Sequence, residues 1–147
     1  MRGDDLIKFY ERQYGPFTHM APGDKAIWVR YLMHGGNLFA PFAYDIRVGN
    51  GTQMPPGSTN RQLRTAYALS TKRIDVLCAV SGTMRIIEVK QRAGAGAVGQ
   101  LITYRDLYLL DTANKYPVEM WLITDELQPD MSHVLTGNNI HCVEVGL

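Results

Sequence analysis

Lys72-Arg73-Ile74-Asp75-Val76-Leu77-Cys78-Ala79-Val80, then Ser81-Gly82-Thr83, then Met84-Arg85-Ile86-Ile87-Glu88-Val89-Lys90: this stretch decides the fold. Arg73 to Val80 is rich in β-branched residues and reads as a strand, and so does Met84 to Lys90. Ser81-Gly82-Thr83 between them is a tight turn, so the two strands should form a hairpin. Side chains alternate along a strand, which puts Glu88 and Lys90 on one face and Ile87 and Val89 on the other.

Outward from the hairpin the order of elements follows. Upstream, helices are expected over Asp4 to Tyr14 and from about Asp24 to His34, the first stopped by Gly15-Pro16 and the second by Gly35-Gly36-Asn37. Phe42 to Val48 alternates as a strand, with Phe42, Tyr44, Ile46 and Val48 on one face and Ala43, Asp45 and Arg47 on the other. A polar, breaker-rich loop fills residues 52–60; Arg61 to Ala68 fits either a short helix or an irregular excursion. Downstream, a helix is expected over Ala97 to Asp111, a strand over Val118 to Thr124, a short helix over Pro129 to Leu135 and a last strand over Ile140 to Val145. The order α, α, β, β, β, α, β, α, β implies an α/β fold with a mixed sheet flanked by helices. No repeat and no linker points to a second domain in the 147 residues.

Asp75, Glu88 and Lys90 stand out because three charges on otherwise apolar central strands are costly to bury. Such placements serve a metal or a reaction. Two carboxylates are hard oxygen donors for Mg²⁺ or Mn²⁺, and the carbonyl of Val89 between Glu88 and Lys90 is a further candidate ligand. A lysine beside them can orient a water and stabilise transition-state charge. That set suits phosphodiester hydrolysis.

Ile74-Asp75 followed by Ile87-Glu88-Val89-Lys90 across a hairpin resembles the PD-(D/E)XK nuclease superfamily, with Ile74 where the family has proline. Gln100-Leu101-Ile102-Thr103-Tyr104 resembles the Gln-x-x-x-Tyr motif of its RecB-like branch, and residues four apart share a helix face. The resemblance implies a restriction-endonuclease-like αβββαβ core acting as a Mg²⁺- or Mn²⁺-dependent nuclease on DNA. Asp75, Glu88 and Lys90 would be catalytic; Asp75, Glu88 and Val89 would hold the metal; Gln100, Tyr104 and Arg92 would meet the substrate. It also implies one domain over residues 1–147: a helical part over 1–36, a motif-bearing core over 42–124, and a closing helix and strand over 125–147. Many members carry an acidic ligand upstream, for which Glu11 and Asp24 are the candidates. The rival expectation is a catalytically silent domain on the same fold, binding nucleic acid or serving a larger assembly such as a phage particle. A homodimer is compatible with either.

Composition trims the alternatives. A net charge of +1 makes the chain no polyanion binder by charge alone, so DNA contact must come from local patches. Arg61, Arg64, Lys72, Arg73 and Arg105 read as scattered solubilising charges, and Asp45 with Arg47 as strand polarity. His19, His34, His133 and His141 lack the spacing of a zinc site. Gly94-x-Gly96-x-x-Gly99 has the form of a dinucleotide fingerprint, but the βαβ start that it needs is missing. Cys78 and Cys142 lie in apolar stretches and read as free thiols. No signal core or membrane-length run occurs, so a cytoplasmic protein is expected, or a virion-associated one if phage-encoded.

Overall fold

The computed structural model describes residues 2–51 and 53–146. The hairpin forms as its sequence dictates: β2 (Lys72–Val80) pairs antiparallel with β3 (Thr83–Ala93), and Ser81 and Gly82 take the positive φ values that the turn requires. β1 (Ala43–Val48) adds antiparallel to β2. β3 leads through the long helix α4 (Ala95–Asp111) into β4 (Val118–Leu127), which runs parallel to β3, as a helical crossover allows. The helix α5 (Met131–Gly137) then returns β5 (Ile140–Glu144) parallel to β4. The result is a five-stranded mixed sheet in the order β1-β2-β3-β4-β5.

Both faces of the sheet are covered, which is why β3 carries adjacent buried isoleucines, Ile86 and Ile87. Ile86 packs with Leu101, Tyr104 and Leu122 under α4 and α5. Ile87 packs with Val89, Phe17, Trp28 and Ile123 under α1 (Gly3–Tyr14) and α2 (Pro22–Met33). Each such aliphatic side chain removed from water contributes about 1.5–3 kcal/mol. Arg30 of α2 fastens this layer to β4 and to the chain beyond β5, its Nη1 donating to Asp125 Oδ1 at 3.1 Å and to the carbonyl of Gly146 at 2.8 Å. No helix among the described residues is long and apolar enough to cross a membrane.

Several sequence expectations change. The undecided stretch is a helix, α3 (Asn60–Ser70), begun by a capping box in which Thr59 and Gln62 bond each other's backbone N–H. After α2 the chain makes a 3-10 turn over Gly36–Phe39. α2 starts two residues early, with Pro22 at its first position, and β4 runs three residues beyond Thr124.

The more consequential correction concerns β1. Phe42 and Tyr44 face the α1/α2 layer, but Ile46 and Val48 face α4, so the four do not share a face. The switch falls at Asp45, whose φ is +55. β2 switches at the corresponding place: Val76 faces α1/α2 and Ile74 faces α4. The residue at that switch is Asp75. Asp45 and Arg47 do not pair with each other; Asp45 sits 3.4 Å from Arg73 Nη1, and Arg47 donates to the carbonyl of Ala68.

Candidate active site

Asp75 sits where the hairpin comes apart. The β2–β3 ladder runs from Val80 opposite Thr83 to Val76 opposite Ile87 and ends there. One residue further, the Asp75 carboxylate occupies the widening gap and accepts the backbone N–H of Val89 at 3.1 Å. A side chain thus replaces a strand partner.

Glu88 projects on the α4 side of β3 and is only 2% exposed. Its Oε1 lies 3.6 Å from Lys90 Nζ, and its Oε2 is buried without a hydrogen-bond partner. Burial pushes the Glu88 carboxyl up to about 9, the negative charge of Asp75 adds to the shift, and Lys90 opposes it. Buried acids shifted in this way recur at sites that take a cation or move a proton.

Two groups from the helical layer lie on the Asp75 side of this pair. Asp24, in the first turn of α2, accepts the backbone N–H of Gln91 at 2.9 Å. Its carboxyl is raised by burial, against which the Gln91 N–H and Lys90 act, while Asp75 raises it further. Glu11, the other upstream candidate, is instead tied to Lys25 at 3.1 Å. His19, in the α1–α2 connection, sets Nε2 3.6 Å from Asp75 Oδ1. That nitrogen is buried and has no hydrogen-bond partner. The flanking Phe17 and Met20, 0% and 6% exposed, lock the connection into the core. Sequence reasoning missed His19, because spacing between histidines carries no trace of a partner that is an aspartate 56 positions away. The apolar Phe17 and Met20 around it were the available signal.

From the opposite layer, α4 brings Gln100 and Tyr104. Tyr104 is buried, and its hydroxyl is pushed up to about 12, first by burial and then by the charges of Glu88 and Asp75, with a hydrogen bond to Gln100 acting the other way. The four-residue spacing brings the two side chains together, Tyr104 toward the carboxylates and Gln100 onto the cleft that Lys90 lines. Lys90, Arg92, Gln100, Gln128 and the turn from Gly94 to Ala97 line an open cleft of about 640 Å³. Arg92 Nε is 4.0 Å from Glu126 Oε1, an exposed and loose pair. A Cβ at Gly94 would meet only the end of the flexible Gln128 side chain, which can swing away. Gly96 and Gly99 meet nothing, so the three glycines do not act as a set.

Chemically, the arrangement supplies two carboxylates in contact, a lysine on one of them and a polar cleft beside it. Among the described residues, no three His, Cys, Asp or Glu side chains converge to hold a metal. The sheet order, the flanking helices and this position at the opening of a hairpin define a restriction-endonuclease-like nuclease fold. Residues 57–146 match the family "Endonuclease NucS C-terminal domain", and the chain belongs to that family. A crystal structure of a repair endonuclease from Pyrococcus abyssi superposes with a TM-score of 0.50 at 14% identity over 83% of this chain, which shows a shared fold. An EndoMS–dsDNA complex superposes at 0.48 with 18% identity over 85% of this chain. The chain spans 46% of the length of each of these two structures. No curated protein sequence matches it.

Proposed function

We propose that the protein is a Mg²⁺- or Mn²⁺-dependent nuclease that hydrolyses DNA phosphodiester bonds, with Asp75, Glu88 and Lys90 as its catalytic residues. The observation that carries this reading is the state of Glu88: buried, pressed against Asp75, with one oxygen free of hydrogen bonds. A divalent cation fits that environment, because positive charge reverses both the desolvation and the repulsion that raise the carboxyl. Asp75, Glu88 and the carbonyl of Val89 would hold it. When bound, it would polarise the phosphoryl group and acidify a water.

The chain's own groups do the rest. Lys90 presents its ammonium beside Glu88, where it orients the attacking water and offsets charge on the phosphoryl oxygens. Gln100 and Tyr104 line the approach from α4, consistent with a RecB-like Gln-x-x-x-Tyr helix, and Arg92 at the cleft mouth holds a neighbouring phosphate. Asp24 takes the place of the upstream acid, and His19 steadies Asp75 from the core side. Residues 1–147 work as one nuclease domain, since α1 and α2 supply one whole covering layer of the sheet.

The test is cleavage of labelled single- and double-stranded DNA with Mg²⁺ or Mn²⁺ and with EDTA. Metal-dependent product that disappears in Lys90→Ala supports the reading; no cleavage of any DNA form refutes it. A catalytically silent nuclease-fold domain is the competing reading, favoured by the lack of a three-group metal cluster among the described residues. Calorimetric titration with Mn²⁺ separates the two. Binding that Asp75→Ala abolishes supports a working site, and no binding supports a silent one.

A further inference from the structure

Charge is unevenly spread along this chain. From Arg47 to Arg73 there are five Arg and Lys residues and no Asp or Glu, whereas the remainder holds ten against fourteen. A chain of net +1 is therefore a basic segment of +5 joined to a body of −4. The segment comprises the end of β1, the loop after it, α3 and the start of β2.

Its position in the fold is fixed by the strand register. Val48 pairs with Lys72, so α3 leaves and re-enters the sheet at the end where β2 begins. Asp75 follows Lys72 by three residues, or about 10 Å of strand. The basic segment and the cleft beside Lys90 therefore share one end of the sheet.

The five cations divide into two jobs. Arg47 and Arg73 hold α3 in place. Arg47 Nη1 donates to the Ala68 carbonyl at 2.7 Å and to Thr71 Oγ1 at 3.0 Å, and Arg73 Nη2 reaches the same carbonyl at 3.4 Å. The guanidinium of Arg47 also lies 5.9 Å from the Tyr67 ring centroid. Arg61, Arg64 and Lys72 are exposed and take part in no ion pair among the described residues. The helix that carries two of them buries no residue at all. It is specified by its own capping box and held by its C-terminal end, so it contributes little to the core and much to the surface. Open grooves of about 570 and 330 Å³ run along it, with Arg64 and Tyr67 on one and Arg61 on the other.

We infer that α3 is a DNA-gripping arm: Arg61, Arg64 and Lys72 bind the phosphate backbone of the substrate where it passes the cleft at Asp75, Glu88 and Lys90. The identity of the polyanion rests on the nuclease reading; the placement and pairing of the charges stand without it. A polyanion with one negative charge per about 1.7 Å of duplex is the partner that several free cations on an unpacked helix fit. Leu63 and Tyr67, 46% and 45% exposed, flank Arg64 on this surface.

Fluorescence anisotropy with a labelled random-sequence duplex, in EDTA and over a range of salt, tests the arm without requiring turnover. The triple variant Arg61→Ala/Arg64→Ala/Lys72→Ala should bind about 10–100-fold more weakly at roughly 0.1 M salt, with a salt slope shallower by about 0.9 for each phosphate no longer neutralised. The control Lys8→Ala/Arg12→Ala/Lys115→Ala, which removes the same charge from α1 and the α4–β4 connection, should bind as the parent does. Unchanged affinity in the first variant, or an equal loss in the control, overturns the arm. So does a Leu63→Asp/Tyr67→Asp variant that turns a dimer into a monomer by light scattering while DNA binding persists, because the surface is then an interface between copies. A protein that binds through Arg61, Arg64 and Lys72 but cleaves nothing upholds the arm and overturns the nuclease reading alone.

Discussion

The Asp75 carboxylate accepts the backbone N–H of Val89 at 3.1 Å, at the point where β2 and β3 stop pairing. One residue thereby serves the fold and the proposed chemistry together, and two substitutions separate those duties. Asp75→Ala leaves a half-buried N–H without its acceptor and should cost about 1–3 kcal/mol in urea unfolding. Asp75→Asn keeps an acceptor oxygen and should unfold close to the parent. Both should lose Mn²⁺ binding by calorimetry. If Asp75→Asn binds Mn²⁺ like the parent, Asp75 is structural only.

Glu88 makes the metal-free protein sensitive to pH. Its carboxyl ordinarily titrates at 4.5 and stands at about 9 in the fold. Between those values the folded chain keeps a proton that the unfolded chain releases, so stability falls as pH rises. The contribution is fully present below 4.5 and lost as pH passes about 9. Asp24 is shifted in the same direction and adds to the trend. Thermal melting in EDTA should therefore show a falling Tm from about pH 5 to about pH 9. Glu88→Gln, neutral throughout, should flatten the curve and melt higher than the parent at alkaline pH while losing activity, a stability–function trade-off. A pH-independent parent Tm would contradict this account of Glu88.

Lys90 has 37% of its side chain exposed, and it pairs with Glu88 at 3.6 Å. Lys90→Ala should accordingly fold within about 0.5 kcal/mol of the parent. Cleavage should fall by about 10²–10³-fold, as when a charge-stabilising group is removed from a transition state. Lys90→Arg restores charge but not the compact ammonium geometry and should recover only part of the rate. Steady-state cleavage kinetics read both variants, and full activity in Lys90→Ala would remove the residue from the mechanism.

How much of this was legible in the sequence depends on distance along the chain. The hairpin, α4 and the Gln100–Tyr104 face were readable because strand and helix periodicity are local. Asp75, Glu88 and Lys90 stood out because charges interrupt apolar strands; that they lie beside one another follows from the β2–β3 register. The face switch at Asp45 was not readable, because an alternating Phe42-to-Val48 pattern has the same form whether or not a residue with positive φ interrupts it. α3 stayed ambiguous because its apolar residues are few and remain exposed; its capping box was the usable signal. That Asp24 lies near Asp75 while Glu11 is tied to Lys25 needed tertiary contacts, since both begin as acidic residues on N-terminal helices. Arg61 and Arg64 read as scattered until the register of Val48 with Lys72 brought them to the end of the sheet that holds Asp75.

His19 gives the sharpest check on that non-local half of the site. Its Nε2 faces Asp75 Oδ1 at 3.6 Å, from a connection that Phe17 and Met20 fix in the core, and that nitrogen makes no hydrogen bond that the fold would miss. A partner of this kind orients a ligating carboxylate, and its loss costs about 10–100-fold in metal affinity or activity. His19→Ala should thus melt near the parent temperature in EDTA, bind Mn²⁺ more weakly by that factor, and cleave more slowly at limiting metal. His19→Gln, which keeps a polar atom at reach of Asp75, should fall between the two. Should His19→Ala bind Mn²⁺ with parent affinity and cleave at the parent rate, the histidine packs beside the site without serving it, and Asp75 is held by Val89 alone.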